Sequence, residues 1–448
     1  MKANSRWIPQ MTDSQQNNYC LNLIEVNKKQ PVVTNQDIFN QQGLLLLAKG
    51  ANLDEKRSQV LLQHKLIKPL EHCVGIADSL DAYQLFEYLN NFARSLPGLY
   101  AITNNDSYQK TLRIACLFYE KYPLLKQNLT VTALRAKDIY FHSLYSALAG
   151  VAIAKKLNLS LPEIEATFIA GLFHDVGFLY LPLELREKKA GFTLHEWKAL
   201  QAHPVIAQRF LSMIPGLPKE IGEAIVNHHE RIDGTGYPRQ LFGDKISIIS
   251  QIIAATDNIV FNYNRYQDYG VHAHSMLLAA LKLSDNIYFE SVYDAATLLC
   301  KEAPRPNQNL LKLPSVEKLL SRQKTLRQQF TSAKQLSQQL FTLPQNPIVR
   351  SISAVMGRLA ISVVRSGVLQ PEQDEWLTNL SPINDSNIHN EGWSLIEISV
   401  MQDQIHDQLV HLKNLMERAI ENISPEDNAF DVCTTLFRDI NLQDTALA

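Results

Sequence analysis

Two short segments constrain this 448-residue chain more than anything else in it: Gly171-Leu172-Phe173-His174-Asp175-Val176-Gly177, and His228-His229-Glu230-Arg231-Ile232-Asp233-Gly234-Thr235-Gly236-Tyr237-Pro238. Each sets histidine beside another metal-capable side chain at the end of an apolar helical run. A lone imidazole–carboxylate pair is costly to bury unless it is partnered. Together these donors suit iron, manganese or zinc. The chain must therefore fold so that helices deliver ligands to one interior point, as helical bundles do.

The other candidate ligands follow the same logic. Asp138 and His142 are four residues apart on a helix predicted to begin near Val131, so they share a face. His203 precedes Pro204 at a break between helical segments. His228 and His229 close a helix opened by Pro218, as His174 and Asp175 close the one opened near Pro162. Gly177 stands where that helix is expected to stop. Asp257 lies within the apolar run Ile246–Tyr263, where an unpaired carboxylate is expensive. The remaining histidines (His64, His72, His195, His272, His274, His389, His406 and His411) fall outside the pattern and read as surface or structural.

Periodicity and punctuation give a mainly α protein. Residues 1 to about 30 read as a loosely ordered lead, within a small α+β module ending near residue 75. In it, glycine-bounded runs form short strands and Leu53-Asp54-Glu55 opens a helix. A helical connector spans 76–130, a helical catalytic block 131–300, and a helical region 315–448, with Lys301–Pro314 as the linker. Within Ile398–Ile423, Ile398, Ile405, Leu412 and Ala419 fall on one seam, and Leu409, Met416 and Ile423 on another interrupted by Gln402. Such a seam fits a packing helix in a bundle or a homodimer contact equally.

Composition narrows the function classes. A net charge of −2 leaves no electrostatic footprint for nucleic acid. Five scattered cysteines without a Cys-x-x-Cys pair fit reduced thiols and a cytoplasmic setting. The polar start lacks a signal-peptide core, and no apolar run reaches bilayer length, so no membrane insertion is expected.

The central block resembles the HD-GYP family of HD-domain phosphohydrolases. The resemblance rests on His174-Asp175, His203-Pro204, the stretch from His228 to Pro238, Leu241-Phe242-Gly243 and Ala255-Thr256-Asp257. It implies a helical HD-type catalytic domain with two or three divalent metals, iron or manganese, acting on cyclic di-GMP. The resemblance makes His142, His174, Asp175, His203, His228, His229 and Asp257 the metal ligands, with His174 and Asp175 central to catalysis. Asp138 stands where trinuclear members carry an acidic extra ligand. The implied nucleophile is a hydroxide bridging two metals, opening the ring to linear pGpG, with the end product left open between pGpG and GMP. Gly234, Gly236, Tyr237 and Pro238 are expected to shape the substrate side.

Two departures concern substrate handling. Phe178 stands where the family usually has lysine, and Val260 and Asn264-Arg265-Tyr266 replace a later acidic and proline-bearing pattern. Loss of a phosphate-neutralising group costs roughly 10²–10³ in rate. Lys188, Lys189, Arg231, Arg239 or Arg265 are the cations that could compensate, with Arg265 first because a guanidinium grips phosphate with two hydrogen bonds. Two function classes follow: a cyclic di-GMP phosphodiesterase in bacterial second-messenger signalling, or a weak or inactive signalling adaptor that binds cyclic dinucleotide or partner proteins.

Overall fold

A glycine that faces another helix lets two backbones approach where any side chain would hold them apart. Gly171 is such a residue: a Cβ there would lie 2.7 Å from the Ala147 Cα. Gly150 faces Thr167 in the same seam, at 3.2 Å from its Cγ2. Helices Lys137–Lys156 and Leu161–Phe173 consequently pack directly against one another, and nearly every residue of both inner faces is buried. The first carries His142; the second ends at His174. Interhelical closeness here determines how near two site residues can come.

The computed structural model describes residues 13–188, 191–284, 287–302, 313–340, 347–380, 391–422, 424 and 428–439. They are mainly helical, with four short strands near the N-terminus. Val32–Thr34 pairs antiparallel with Val74–Ile76, and Ile38–Phe39 with Leu45–Leu47. The helix expected after Leu53 spans Glu55–Leu62, and the Asp54 carboxylate caps it by accepting from the Arg57 amide. Among the described residues no single helix is long and apolar enough to cross a membrane.

The chain divides into two compact units. One holds the residues up to His229 together with Tyr237–Arg239 and Ser247–Val260; the other holds Glu230–Gly236, Gln240–Ile246 and everything from Phe261 onward. The block expected at 131–300 is thus divided between them, with Glu230–Gly236, Gln240–Ile246 and its residues from Phe261 onward in the second.

In the first unit the expected loose lead is corrected: Asp13–Asn27 is a helix. Its polar composition hides a narrow apolar stripe, Tyr19, Leu23 and Val26, all fully buried. Asn22 and Asn18 donate to the carbonyls of Leu179 (2.8 Å) and Tyr180 (3.1 Å), and Tyr19 stacks on Tyr180 with centroids 4.8 Å apart. Tyr180 in turn donates to the buried Glu71 carboxyl at 2.8 Å. The short 3₁₀ turn Val176–Tyr180, which follows His174-Asp175, is therefore fixed by the N-terminal module. The helix expected from Val131 is also corrected. Pro123–Arg135 ends at Ala136, whose φ of −146° breaks the run, and a new helix starts at Lys137.

In the second unit, Gly392–Asn422 packs against Val316–Leu340, Pro347–Ser366 and Asn428–Asp439. Ile405, Leu409, Leu412 and Met416, from both expected seams, lie in one core with Ile352, Val355, Met356 and Leu359. Gln402 is buried there, and its side-chain amide donates to the Leu319 carbonyl at 3.1 Å and to Gln323 at 2.9 Å, so the donor side of the polar break in the seam is met inside this unit. Ala419 and Ile423 lie outside the described side chains, and the expected linker falls mostly outside the described residues.

Gly171→Ala should destabilise the chain by about 1–3 kcal/mol, because the added methyl meets helix backbone rather than a side chain that can turn away. A lowered thermal midpoint followed by circular dichroism is the expected result; an unchanged midpoint would show that the two helices can separate freely.

Candidate metal centre

Three of the site histidines are oriented by the end of a helix. His174 caps the end of Leu161–Phe173, and its Nδ1 meets the Gly171 carbonyl at 2.9 Å. His203 opens His203–Ser212, with Nδ1 at 2.8 Å from the Leu200 carbonyl. His228 lies just past Lys219–Val226, with Nδ1 at 2.5 Å from the Ile225 carbonyl. A carbonyl only accepts, so each Nδ1 carries the proton and each Nε2 presents a lone pair.

Those Nε2 atoms converge. His229 Nε2 and His203 Nε2 are 3.2 Å apart, and the rings of His203, His228 and His229 lie within 5.4 Å of one another. His174 sits between the His228 ring at 5.2 Å and the His142 ring at 5.3 Å. Two carboxylates thread the group. Asp175 reaches His203 Nε2 at 3.2 Å and His174 Nε2 at 3.4 Å. Asp257, from helix Ile248–Arg265, reaches His142 Nε2 at 2.8 Å, His229 Nδ1 at 3.7 Å and His174 Nε2 at 4.0 Å.

The electrostatics fit cation binding. Burial pushes His174 and His228 below the usual imidazole range and His229 down to about 3, so all three are neutral at pH 7. Burial also opposes charge on His142, but the hydrogen bond to Asp257 together with the negative charges of Asp257 and Asp175 outweighs it and raises His142. Despite burial, the surrounding histidines hold Asp175 and Asp257 below the ordinary carboxylate range. Neutral imidazoles beside ionised carboxylates are the protonation states that metal ligation requires.

The buried Nε2 atoms of His174 and His228 have no hydrogen-bond partner. An orphaned lone pair in a packed interior is costly, and a divalent cation satisfies it. Two groups have donor atoms close enough to share an ion: His142, His174 and Asp175, and His203, His228 and His229. Asp257 contacts members of both groups. Asp138 is brought into neither; one turn before His142, it is exposed at the start of its helix.

Other expected site residues are placed differently. Tyr237 stacks on His229 with centroids 4.6 Å apart, and its amide donates to the His229 carbonyl at 3.2 Å; Pro238 follows, exposed. Gly234 and Gly236 belong to the second unit, where Gly234 adopts a φ of +76°. Arg265 is also in that unit, its guanidinium held by Asp407 at 2.5 Å and Asp403 at 3.6 Å. Those carboxylates stand some 140 positions along the chain, beyond any local pattern. Of the other cations, Lys188 is paired with Glu196 and Arg239 with Glu223, while Lys189 lies outside the described residues.

Two roles escaped the sequence reading. Gly177 does not end a helix: a Cβ there would lie 2.0 Å from the His203 carbonyl oxygen, so it is glycine to admit the backbone of His203. Phe178, beside it, stacks on the His203 ring at 4.1 Å and 18°. The departure from lysine was visible in the sequence; the ring it packs on was not.

Residues 120–277 match the HD domain family. A 3'3'-cGAMP-specific phosphodiesterase of Vibrio cholerae is 38% identical over 105 residues, 23% of this chain and 24% of that one. A cyclic di-GMP phosphodiesterase of Borreliella burgdorferi is 34% identical over 126 residues, 28% of this chain and 33% of that one. A third, from Pseudomonas aeruginosa, also a cyclic di-GMP phosphodiesterase, is 31% identical over 131 residues, 29% of this chain and 32% of that one. The chain thus spans about a quarter to a third of the length of these relatives.

The protonation pattern gives a testable pH dependence. His174, His228 and His229 have folded values below the ordinary 6.5, so the unfolded chain protonates first as pH falls. Their contribution to stability is complete above about pH 6.5 and is lost below it. His142, raised, runs the opposite way, and the two aspartates lose theirs only as the pH falls below about 4. The thermal midpoint of metal-stripped protein should therefore fall between pH 7 and 5, with a shallower slope in His228→Gln/His229→Gln. Equal slopes in the two proteins would contradict the assignment.

Proposed function

We propose that the chain, whose residues 120–277 match the HD domain family, is a metal-dependent phosphodiesterase of the HD-GYP type that hydrolyses a cyclic dinucleotide, with cyclic di-GMP as substrate. The observation that carries this reading is the pair of orphaned Nε2 atoms on His174 and His228 among neutral imidazoles and ionised carboxylates. A structural site closed by four ligands has no use for a donor set this large.

Two divalent ions, iron or manganese, are the proposed occupants. His142, His174 and Asp175 would hold one, His203, His228 and His229 the other, with Asp257 serving both groups. Bound there, such ions supply Lewis acidity toward phosphoryl oxygens and a water activated near neutral pH. The chain's own residues fix the geometry: backbone carbonyls of Gly171, Leu200 and Ile225 hold three imidazoles in one tautomer, so little reorganisation is left for the reaction. Tyr237 and Pro238, beside His229, together with Gly234, Gly236 and Arg265, are proposed for the substrate side. Linear pGpG is the proposed product, with GMP after a second cleavage.

Purified anaerobically with iron or manganese, the protein should convert cyclic di-GMP to a linear product resolved by chromatography. His174→Ala with Asp175→Ala should lower the rate at least about 10³-fold. 3'3'-cGAMP belongs in the same assay, since one relative is specific for it. Phe178 supports a second reading, a binding protein with little turnover; tight binding without product would favour it and overturn the first.

Phe178→Lys separates two effects by size. Losing the stack on His203 costs about 0.5–1.5 kcal/mol, at most roughly tenfold in metal affinity. Gaining a phosphate-neutralising cation is worth roughly 10²–10³ in rate. At saturating metal, kcat/KM should therefore rise, whereas Phe178→Leu, losing the stack without gaining charge, should not. A fall in the lysine variant would mean that Phe178 serves the site better as a ring than as a charge.

A further inference from the structure

The signature stretch is not held where its histidines are. Glu230–Gly236 belongs to the unit formed by the C-terminal helices, while His228, His229 and Tyr237 belong to the other. Within that C-terminal unit the loop is tightly tied. Gly234 is in the left-handed region at φ +76°, and its amide donates to the Arg231 carbonyl at 2.9 Å. Asp233 Oδ1 accepts from both the Thr235 amide (3.0 Å) and the Thr235 hydroxyl (2.6 Å), which closes the turn. The buried Glu230 carboxylate accepts from the Leu241 amide at 2.9 Å, and the Gly243 amide donates to the Ile232 carbonyl at 2.9 Å.

The second oxygen of Asp233 is taken by an arginine from 125 residues further on. Arg358 lies in helix Pro347–Ser366, is only 6% exposed, forms an ion pair with Asp233 and reaches the Thr235 hydroxyl at 3.5 Å. Neighbouring Val355, Met356 and Leu359 are sunk in the C-terminal core, so the helix that carries Arg358 is not free to follow the loop. Burial, with Arg231 nearby, pushes the guanidinium down to about 9; it stays charged at neutral pH. A buried charge of this kind needs its counterion, and removing either partner strands the other.

We propose that Arg358 is a positioning residue: from the C-terminal helical body it grips the Asp233-Gly234-Thr235 turn and thereby sets the path of the signature loop. The loop is peptide-bonded to His229 at one end and to Tyr237 at the other. A grip on Asp233 therefore restrains a metal-group histidine and the ring stacked on it through the backbone alone. The C-terminal region acquires a role: it is the anchor that holds this loop in one conformation. This inference rests on the phosphodiesterase reading for its catalytic consequence, but not for the grip itself.

The test uses the full-length, manganese-loaded protein and three variants, Arg358→Gln, Asp233→Asn and the double substitution. Backbone amide exchange, metal content and kinetics on cyclic di-GMP are measured on each. In Arg358→Gln, exchange across 230–236 should rise roughly tenfold or more while helix Pro347–Ser366 keeps its protection. Metal content should hold, and kcat/KM should fall roughly 10- to 100-fold, the scale of a small misplacement of a reacting group. The double variant should be no worse than the worse single one, since the pair acts as a unit. Asp233→Asn, which changes no residue of the C-terminal core, answers the same question should Arg358→Gln fold poorly. Unchanged exchange in the loop, exchange rising equally along the whole helix, or a loosened loop with full activity would each overturn the proposal. A wild-type protein without turnover would sink the phosphodiesterase reading alone; the exchange comparison would still decide whether Arg358 holds the loop.

Discussion

The site depends on one physical constraint: five imidazoles and two carboxylates must be buried together without leaving their lone pairs unanswered. A packed helical interior offers almost nothing to a bare Nε2. Three of the histidines meet the constraint halfway, each donating its Nδ1 proton to the carbonyl three residues back. That bond consumes the proton and turns the lone pair inward. Asp257 answers His142 Nε2, and the orphaned Nε2 atoms of His174 and His228 mark where the protein alone has no answer. Everything else in the first unit serves the closeness this requires: Gly171 and Gly150 between two helices, and Gly177 against the His203 backbone.

How far the sequence reveals this differs by residue. The candidate ligands were legible because each is a chemically costly residue at the end of, or within, an apolar run. His142, His174, Asp175, His203, His228, His229 and Asp257 are all brought together. Asp138 shares a helix face with His142, but a shared face says nothing of depth. At the first turn it is exposed. The N-terminal helix was hidden by its asparagines and glutamines, whose polarity outweighs a stripe of three buried residues. The break at Ala136 carries no proline or glycine and has no local signal. Gly177 was visible as a glycine but misread, since an invasive neighbour 26 residues away leaves no trace in local spacing.

The substrate side was less legible, for a reason of charge. An arginine in a sequence looks available; only the fold shows what already holds it. Arg265 meets Asp403 and Asp407, Arg239 meets Glu223, and Lys188 meets Glu196. The ion pairs of Arg239 and Lys188 are partly exposed and weak enough that a phosphate could compete for the cation. Arg265, more buried and held by two carboxylates, is less easily recruited. Phe178 adds the opposite case, a residue that looks like a loss when read as a missing lysine and is a packing partner when read beside His203.

The signature stretch shows why a motif can be read for chemistry and still conceal mechanics. Its histidines and Tyr237 lie with the candidate metal ligands, while its Glu230, Asp233 and Thr235 are occupied with backbone amides and with Arg358. The polar residues between the ligands and the tyrosine are thus anchors, each satisfying a loop that would otherwise need water. A loop anchored at buried points changes conformation only by breaking several bonds at once, so it is held in one state or released as a whole. That property suits a site whose candidate ligands sit within helices or at their ends and whose proposed substrate-side residues hang on a turn. It also places the control of that turn in a part of the chain, the helix carrying Arg358, where no motif would direct attention.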